Sequence, residues 1–187
     1  MMDKRKRILE LMPMINEIKD DKLREGVITV WVQAWEDSEW QDLANVFFNV
    51  KVPNCSLIDH TNFVAVISKA MADFSRVTWQ TRIDYDLLIA AAILHDVSSV
   101  VERAPAEGTV GKDSEIGEKL AHSSYGVYMA LKAGLPLDVV NIISVHSPKI
   151  AKVPFNNEGV FIFHADMATA DMFALSTNRK MHLEEVR

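Results

Sequence analysis

The chain has 187 residues, 49% hydrophobic and 25% charged, which suits one folded domain with a sizeable core and excludes a disordered or fibrous chain. Its formal net charge is -6, and beyond the run Lys4-Arg5-Lys6-Arg7 it carries no basic stripe, which speaks against a nucleic-acid partner because a phosphate backbone demands a basic face. The single cysteine, Cys55, excludes an internal disulfide and a multi-cysteine zinc site.

Apolar spacing is helical nearly throughout, and only 7 Gly and 6 Pro suit helices better than a turn-rich sandwich. The expectation is an all-α, single compact bundle: residues 1–50 as N-terminal helices packing on a core of 51–176, with a loosely held tail at 177–187. The spacing predicts helices over 3–18 and 21–37, the second with a stripe of Val27, Val30, Trp31, Ala34 and Trp35. Trp40, Leu43, Phe47 and Phe48 form an aromatic-rich connector against that stripe. Ser56 caps a helix over 57–74, with Phe63, Ile67, Ala70 and Phe74 on one face. Asp84 or Asp86 opens the next, which runs through an apolar stretch from Leu87 to Leu94 and ends at His95. Residues 103–113, with Pro105, Gly108 and Gly111, read as a loop. A helix over 114–133 stops at Gly134, Pro136 starts another that ends at Ser147-Pro148, and a last one covers 157–175. Leu87 to Leu94 is the longest unbroken apolar stretch and is too short to span a bilayer; no apolar segment of signal-peptide length follows the N-terminal charges. The expected location is the cytoplasm, with no membrane partner.

Four of the six histidines point inward by this pattern. His60 shares a face with Phe63, Val64 and Ile67, His95 and Asp96 close a helix that is apolar all round, and His122 aligns with Gly126 and Met129. His146 aligns with Val139, Ile142 and Ile143, and Asp166 with Ile162, Ala170 and Phe173. One inward histidine is usually a hydrogen-bonded core residue, and one inward aspartate a cap or an arginine partner. The helix ending in His95-Asp96, however, contains no Lys or Arg between Arg82 and Arg103. Several imidazoles and two carboxylates without a cationic partner share one solution, a metal centre, and this donor mixture suits iron, manganese, zinc or nickel.

The order His60, His95-Asp96, Asp166 resembles the H…HD…D signature of the HD superfamily. In AAILHD the dipeptide closes an apolar helix, and Asp166 stands in an Ala-Asp context on a late helix. The segment AHSSYGVYMALKAGLPLDVVNIISVHS is similar to the family as well, and the likeness spans roughly 57–175. The resemblance implies an HD-domain bundle in which His60, His95, Asp96 and Asp166 bind a first metal. It also implies that His122 and His146 supply a second one, with Asp96 bridging as the central catalytic residue. Two ions per chain are expected, iron first. The implied activity is a metal-dependent phosphohydrolase for a nucleotide or other small phosphoester, in which paired ions about 3.5–4 Å apart activate a water. Two rivals come from other classes: a diiron oxygenase of the same superfamily, and a non-catalytic metal-binding or sensing module, disfavoured because all six ligands are present.

Many HD hydrolases read HDxxK, whereas here Ser99 stands in the lysine's place. Ser99 brings no charge, so Lys149, Lys152 and Lys112 are weaker candidates to hold an anionic substrate, against the plainer reading that they are solvated surface residues. Asp59 and Glu102 could orient ligating histidines; His164 reads as a core or supporting residue. The expected partner is a small phosphorylated anion, with a homodimer left open.

Overall fold

A computed structural model describes residues 3–49, 52–108, 111–147 and 152–181, with 52–54 in backbone only. Helix α1 (Lys4–Leu11) is capped by Asp3 and stops at Met12, because Pro13 has no N–H to continue it; the chain tightens into a 3-10 turn over Pro13–Glu17. The single helix expected over 3–18 is therefore two pieces. Helix α2 (Asp21–Glu36) starts at Asp20, whose carboxylate accepts from the N–H groups of Lys22 and Leu23. Its expected stripe of Val27, Val30, Trp31, Ala34 and Trp35 is buried.

The aromatic connector does pack on that stripe: Trp35 Nε1 donates to Trp40 O at 2.9 Å. Its end is not a simple connector, however. Strand β1 (Phe47–Asn49) pairs antiparallel with β2 (Val52–Ser56), in the register Phe47↔Ser56 and Asn49↔Val52. Ser56 then caps α3 (Leu57–Trp79), which outruns the expected end at 74 and stops at Gln80 in a left-handed conformation. The core side of α3 is lined by small residues, Ala65, Ser68, Ala72 and Ser75, together with His60, Thr61 and Val64. Phe63 and Phe74, expected to face the core, are instead 50% and 61% exposed. Both sides of α3 are apolar, so periodicity finds the faces without telling which of them is covered.

Helix α4 (Tyr85–Leu94), opened by Asp84, lies at the centre, with Leu88 to Leu94 all buried and, as neighbours, α2, α3 and the two later helices Leu137–Val145 and Asn157–Ser176. Its last carbonyls are satisfied by other groups: Ile93 O accepts from Trp31 Nε1 at 3.1 Å, and Leu94 O from Val97 N at 3.1 Å. Trp31 is fully buried and ties the N-terminal helices to the helix that carries His95. Trp31→Ala is expected to cost about 3–5 kcal/mol, read as a lowered midpoint in urea denaturation.

A short helix α5 (Ser99–Glu102) follows. Part of the segment expected to be pure loop is a ladder, β3 (Arg103–Ala104) against β4 (Lys112–Asp113). The helix expected over 114–133 is split into α6 (Glu115–Lys119) and α7 (Ser124–Lys132), with His122 in the break. Gly134, at φ +70°, stops α7 in a conformation that costs glycine nothing. Then come α8 (Leu137–Val145) and α9 (Asn157–Ser176). One continuous hydrophobic core runs from Ile8 in α1 to Ala165 in α9, so the N-terminal helices share it. Among the described residues no helix is long and apolar enough to cross a membrane.

Candidate metal centre

The inward side chains predicted from the sequence are delivered by several structural devices. His60 lies in the first turn of α3, fully buried, its ring stacked on Phe48 with centroids 3.9 Å apart. His95 is the C-terminal residue of α4, also fully buried, and its Nδ1 donates to Ala92 O at 2.7 Å. His146 repeats that device at the end of α8, with Nδ1 donating to Ile143 O at 2.8 Å. In both, the backbone bond occupies Nδ1 and turns Nε2 toward the centre of the site. Asp96 follows His95 directly, and Asp166 comes from the middle of α9.

His122 comes from the break rather than from a helix. Glu102 makes that break: its Oε2 accepts from His122 Nδ1 at 2.9 Å and its Oε1 from Ser123 N at 3.3 Å. The carboxylate thus takes an N–H that a continuous helix would have bonded to its own backbone, and Ser123 adopts φ +73°. Of the two carboxylates considered from sequence, Glu102 orients a histidine, whereas Asp59 is exposed and bonds the capping Ser56 Oγ at 2.8 Å.

The six groups converge as two triads, His60–His95–Asp166 and Asp96–His122–His146, each with donor atoms within 4.8 Å of one another. In the first, His60 Nε2 lies 3.2 Å from His95 Nε2 and 3.1 Å from Asp166 Oδ1. In the second, His122 Nε2 lies 3.3 Å from His146 Nε2. Asp96 reaches both. Its Oδ1 is 3.0 Å from His122 Nε2 and 3.3 Å from His146 Nε2, while its Oδ2 is 3.6 Å from His60 Nε2 and 3.9 Å from His95 Nε2.

Burial pushes the His95 imidazole down to about 4, so it is a neutral donor near pH 7. For His122 burial works in the same direction, but hydrogen bonds with Asp96 and Glu102 outweigh it and lift the ring to about 10. Burial raises Asp96 too, yet the hydrogen bonds from His122 and His146 hold it well below the usual carboxylate range. A buried carboxylate is thus kept charged among converging imidazole nitrogens, and a divalent cation in each triad would replace the protons that His122 and His146 otherwise hold toward Asp96. That donor chemistry fits a divalent cation in each triad. His60 Nδ1 has no hydrogen-bond partner among the described residues.

The candidates for holding substrate are scattered. Ser99 is fully buried on α5, its hydroxyl without a partner among the described residues. Lys112 is exposed on β4 opposite Ala104, Lys152 is exposed, and Lys149 lies outside the described residues. His164 is exposed, which corrects the expectation of a core role, because α9 turns only the neighbouring Ala165 inward. Arg103, the first cation after His95-Asp96, is one that the sequence leaves free to fold back toward them. Its guanidinium donates to Phe47 O at 2.8 Å, and its charge is within electrostatic reach of Asp96 and Glu102.

Because Glu102 sets both the tautomer and the position of His122, Glu102→Gln is expected to weaken metal binding about 10–100-fold. A chelator-competition titration would read that loss; unchanged affinity would reduce Glu102 to a backbone cap for Ser123.

No curated protein and no solved structure matches the chain. The family model for the HD domain matches residues 57–171, a span that holds all six converging side chains. The chain belongs to the HD domain family.

Proposed function

We propose that this HD domain protein is a metal-dependent phosphohydrolase acting on a nucleotide or another small phosphoester. The observation that carries the reading is the division of Asp96, one oxygen toward each histidine pair. His60, His95 and Asp166 would hold one ion and His122 and His146 another, with Asp96 shared; iron is the first candidate, with manganese, zinc or nickel as alternatives. Such ions, when bound, supply a water activated as hydroxide near neutral pH and neutralise charge on phosphoryl oxygens. The chain's own part is to hold the donors rigid. Backbone carbonyls aim His95 and His146, Glu102 aims His122, and the Phe48 ring fixes the plane of His60. Arg103 is the cation best suited to a phosphoryl oxygen, since its planar fork matches that geometry and it shares an electrostatic neighbourhood with Asp96. A cytoplasmic location belongs to the same reading, supported by the lone, buried Cys55.

The oxygenase reading is favoured by one observation, the full burial of Ser99 where many HD hydrolases place a lysine. One experiment separates the two. Protein reconstituted with iron or manganese is offered a panel of nucleotides and small phosphoesters while phosphate release and oxygen consumption are followed in parallel. Phosphate release that depends on added metal supports the proposal; oxygen uptake without phosphate release would replace it with the oxygenase.

A further inference from the structure

Helix α3 turns one apolar side to the core and a second one to solvent. The outer side carries Phe63, Val66, Phe74 and Val77, exposed by 50%, 55%, 61% and 74%, with Ala70 exposed at their centre. Trp79, 70% exposed, closes one end against Phe74, with ring centroids 6.0 Å apart. Beside this stripe runs a groove of about 470 Å³ whose walls include Met71, Trp79 and, from α9, Phe161. A helix that is apolar all round is ordinarily a buried helix.

We propose that this outer face of α3 is an interface between two copies of the chain, crossing antiparallel about a two-fold axis at Ala70. The inference is independent of the proposed activity.

Two observations select a second copy as the occupant. The first is register. Val66 and Phe74 lie four residues on either side of Ala70, and Phe63 and Val77 lie seven on either side. Turning the helix over about Ala70 sets alanine against alanine at the crossing, valine against phenylalanine at the next layer, and phenylalanine against valine beyond it. A two-fold contact requires such self-complementarity, because each patch must be its own partner. The small residue sits where the backbones approach most closely.

The second is area. Aromatic side chains bury about 150–250 Å² each and valines somewhat less, so the exposed parts of Phe63, Val66, Phe74, Val77 and Trp79 sum to on the order of 500–600 Å². That reaches the top of the range for the largest patch on an ordinary monomer and approaches the roughly 800 Å² per partner of a stable interface. The flanking charges are already engaged off the stripe. Lys69 Nζ is 3.9 Å from Glu17 and 3.6 Å from Asp73, while Asp73 and Arg76 both meet the Tyr85 hydroxyl.

The test is sedimentation velocity on the metal-loaded full chain from low to high micromolar concentration, with vesicle flotation alongside. Wild type is expected at twice the 21.1 kDa chain mass. Val66→Lys and Phe74→Glu are each expected to sediment at the single-chain mass, with metal content and helical circular dichroism unchanged. Ala70→Cys is expected to yield a disulfide-linked dimer on mild oxidation, whereas Val77→Cys, facing Phe63 of the second copy, is not; the native Cys55 is only 2% exposed and does not compete. A wild type that is monomeric throughout, a dimer that survives both charged substitutions, or a dimer whose Ala70→Cys variant fails to cross-link would overturn the proposal. So would a monomer that floats with neutral phosphatidylcholine vesicles, which would make the face a membrane-docking surface.

Discussion

Asp96→Ala is expected to remove both metal ions and to lower turnover by about a thousandfold or more, the largest effect of any single substitution in the site. The reason is geometric. Oδ1 stands 3.0 and 3.3 Å from the His122 and His146 Nε2 atoms, and Oδ2 stands 3.6 and 3.9 Å from those of His60 and His95. Asp96 presents one oxygen to each triad, so removing it takes an anion from both. Asp166→Ala makes the matched control, since Asp166 belongs to one triad only and its loss should leave the other ion in place. The difference in metal content between the two variants, measured by elemental analysis, therefore reports bridging rather than simple loss of a ligand. Asp96→Asn guards against a folding artefact, because it keeps the shape of a side chain that is only 4% exposed while removing the charge. A wild-type metal ratio in either Asp96 variant would refute the bridge.

The converging side chains were legible in the sequence because burying a histidine or aspartate on an apolar helical face leaves a pattern that periodicity detects. His60, His95 and Asp166 follow it directly, and His146 follows it to the end of α8. Local signals also placed the Ser56 cap, the Gly134 stop and the stripe of α2. What sequence reading missed depends on contacts between distant segments. The break that presents His122 is made by Glu102, twenty residues earlier, and nothing in the run from 114 to 133 announces it. The β1–β2 and β3–β4 ladders are too short for alternation to show. Pro13 is the exception, a local signal: it lacks the N–H that a single helix over 3–18 would need there. The guanidinium of Arg103 is held by the Phe47 carbonyl, a partner 56 residues away.

The second large effect concerns the number of ions. Wild-type protein purified without chelators is expected to carry two per chain, and His122→Ala and His146→Ala about one each. The surviving ion would sit with His60, His95 and Asp166, whose mutual contacts involve neither substituted residue. The two histidines should not respond alike. His146 is buried and locked to Ile143 O, so its removal also opens a cavity in the core. His122 has a side chain 38% exposed and is held through Glu102 alone among the described contacts of Nδ1, so its removal should spare the fold. His122→Ala is thus the cleaner probe of the second ion, and added imidazole, which can enter at the exposed position, is expected to restore part of its metal content. If the second triad is catalytic, both variants should lose about a hundredfold or more in phosphate release while keeping the first ion. A wild-type ratio near one, unchanged by either substitution, would mean that His122 and His146 serve Asp96 as hydrogen-bond donors, and that the chemistry rests on a single ion.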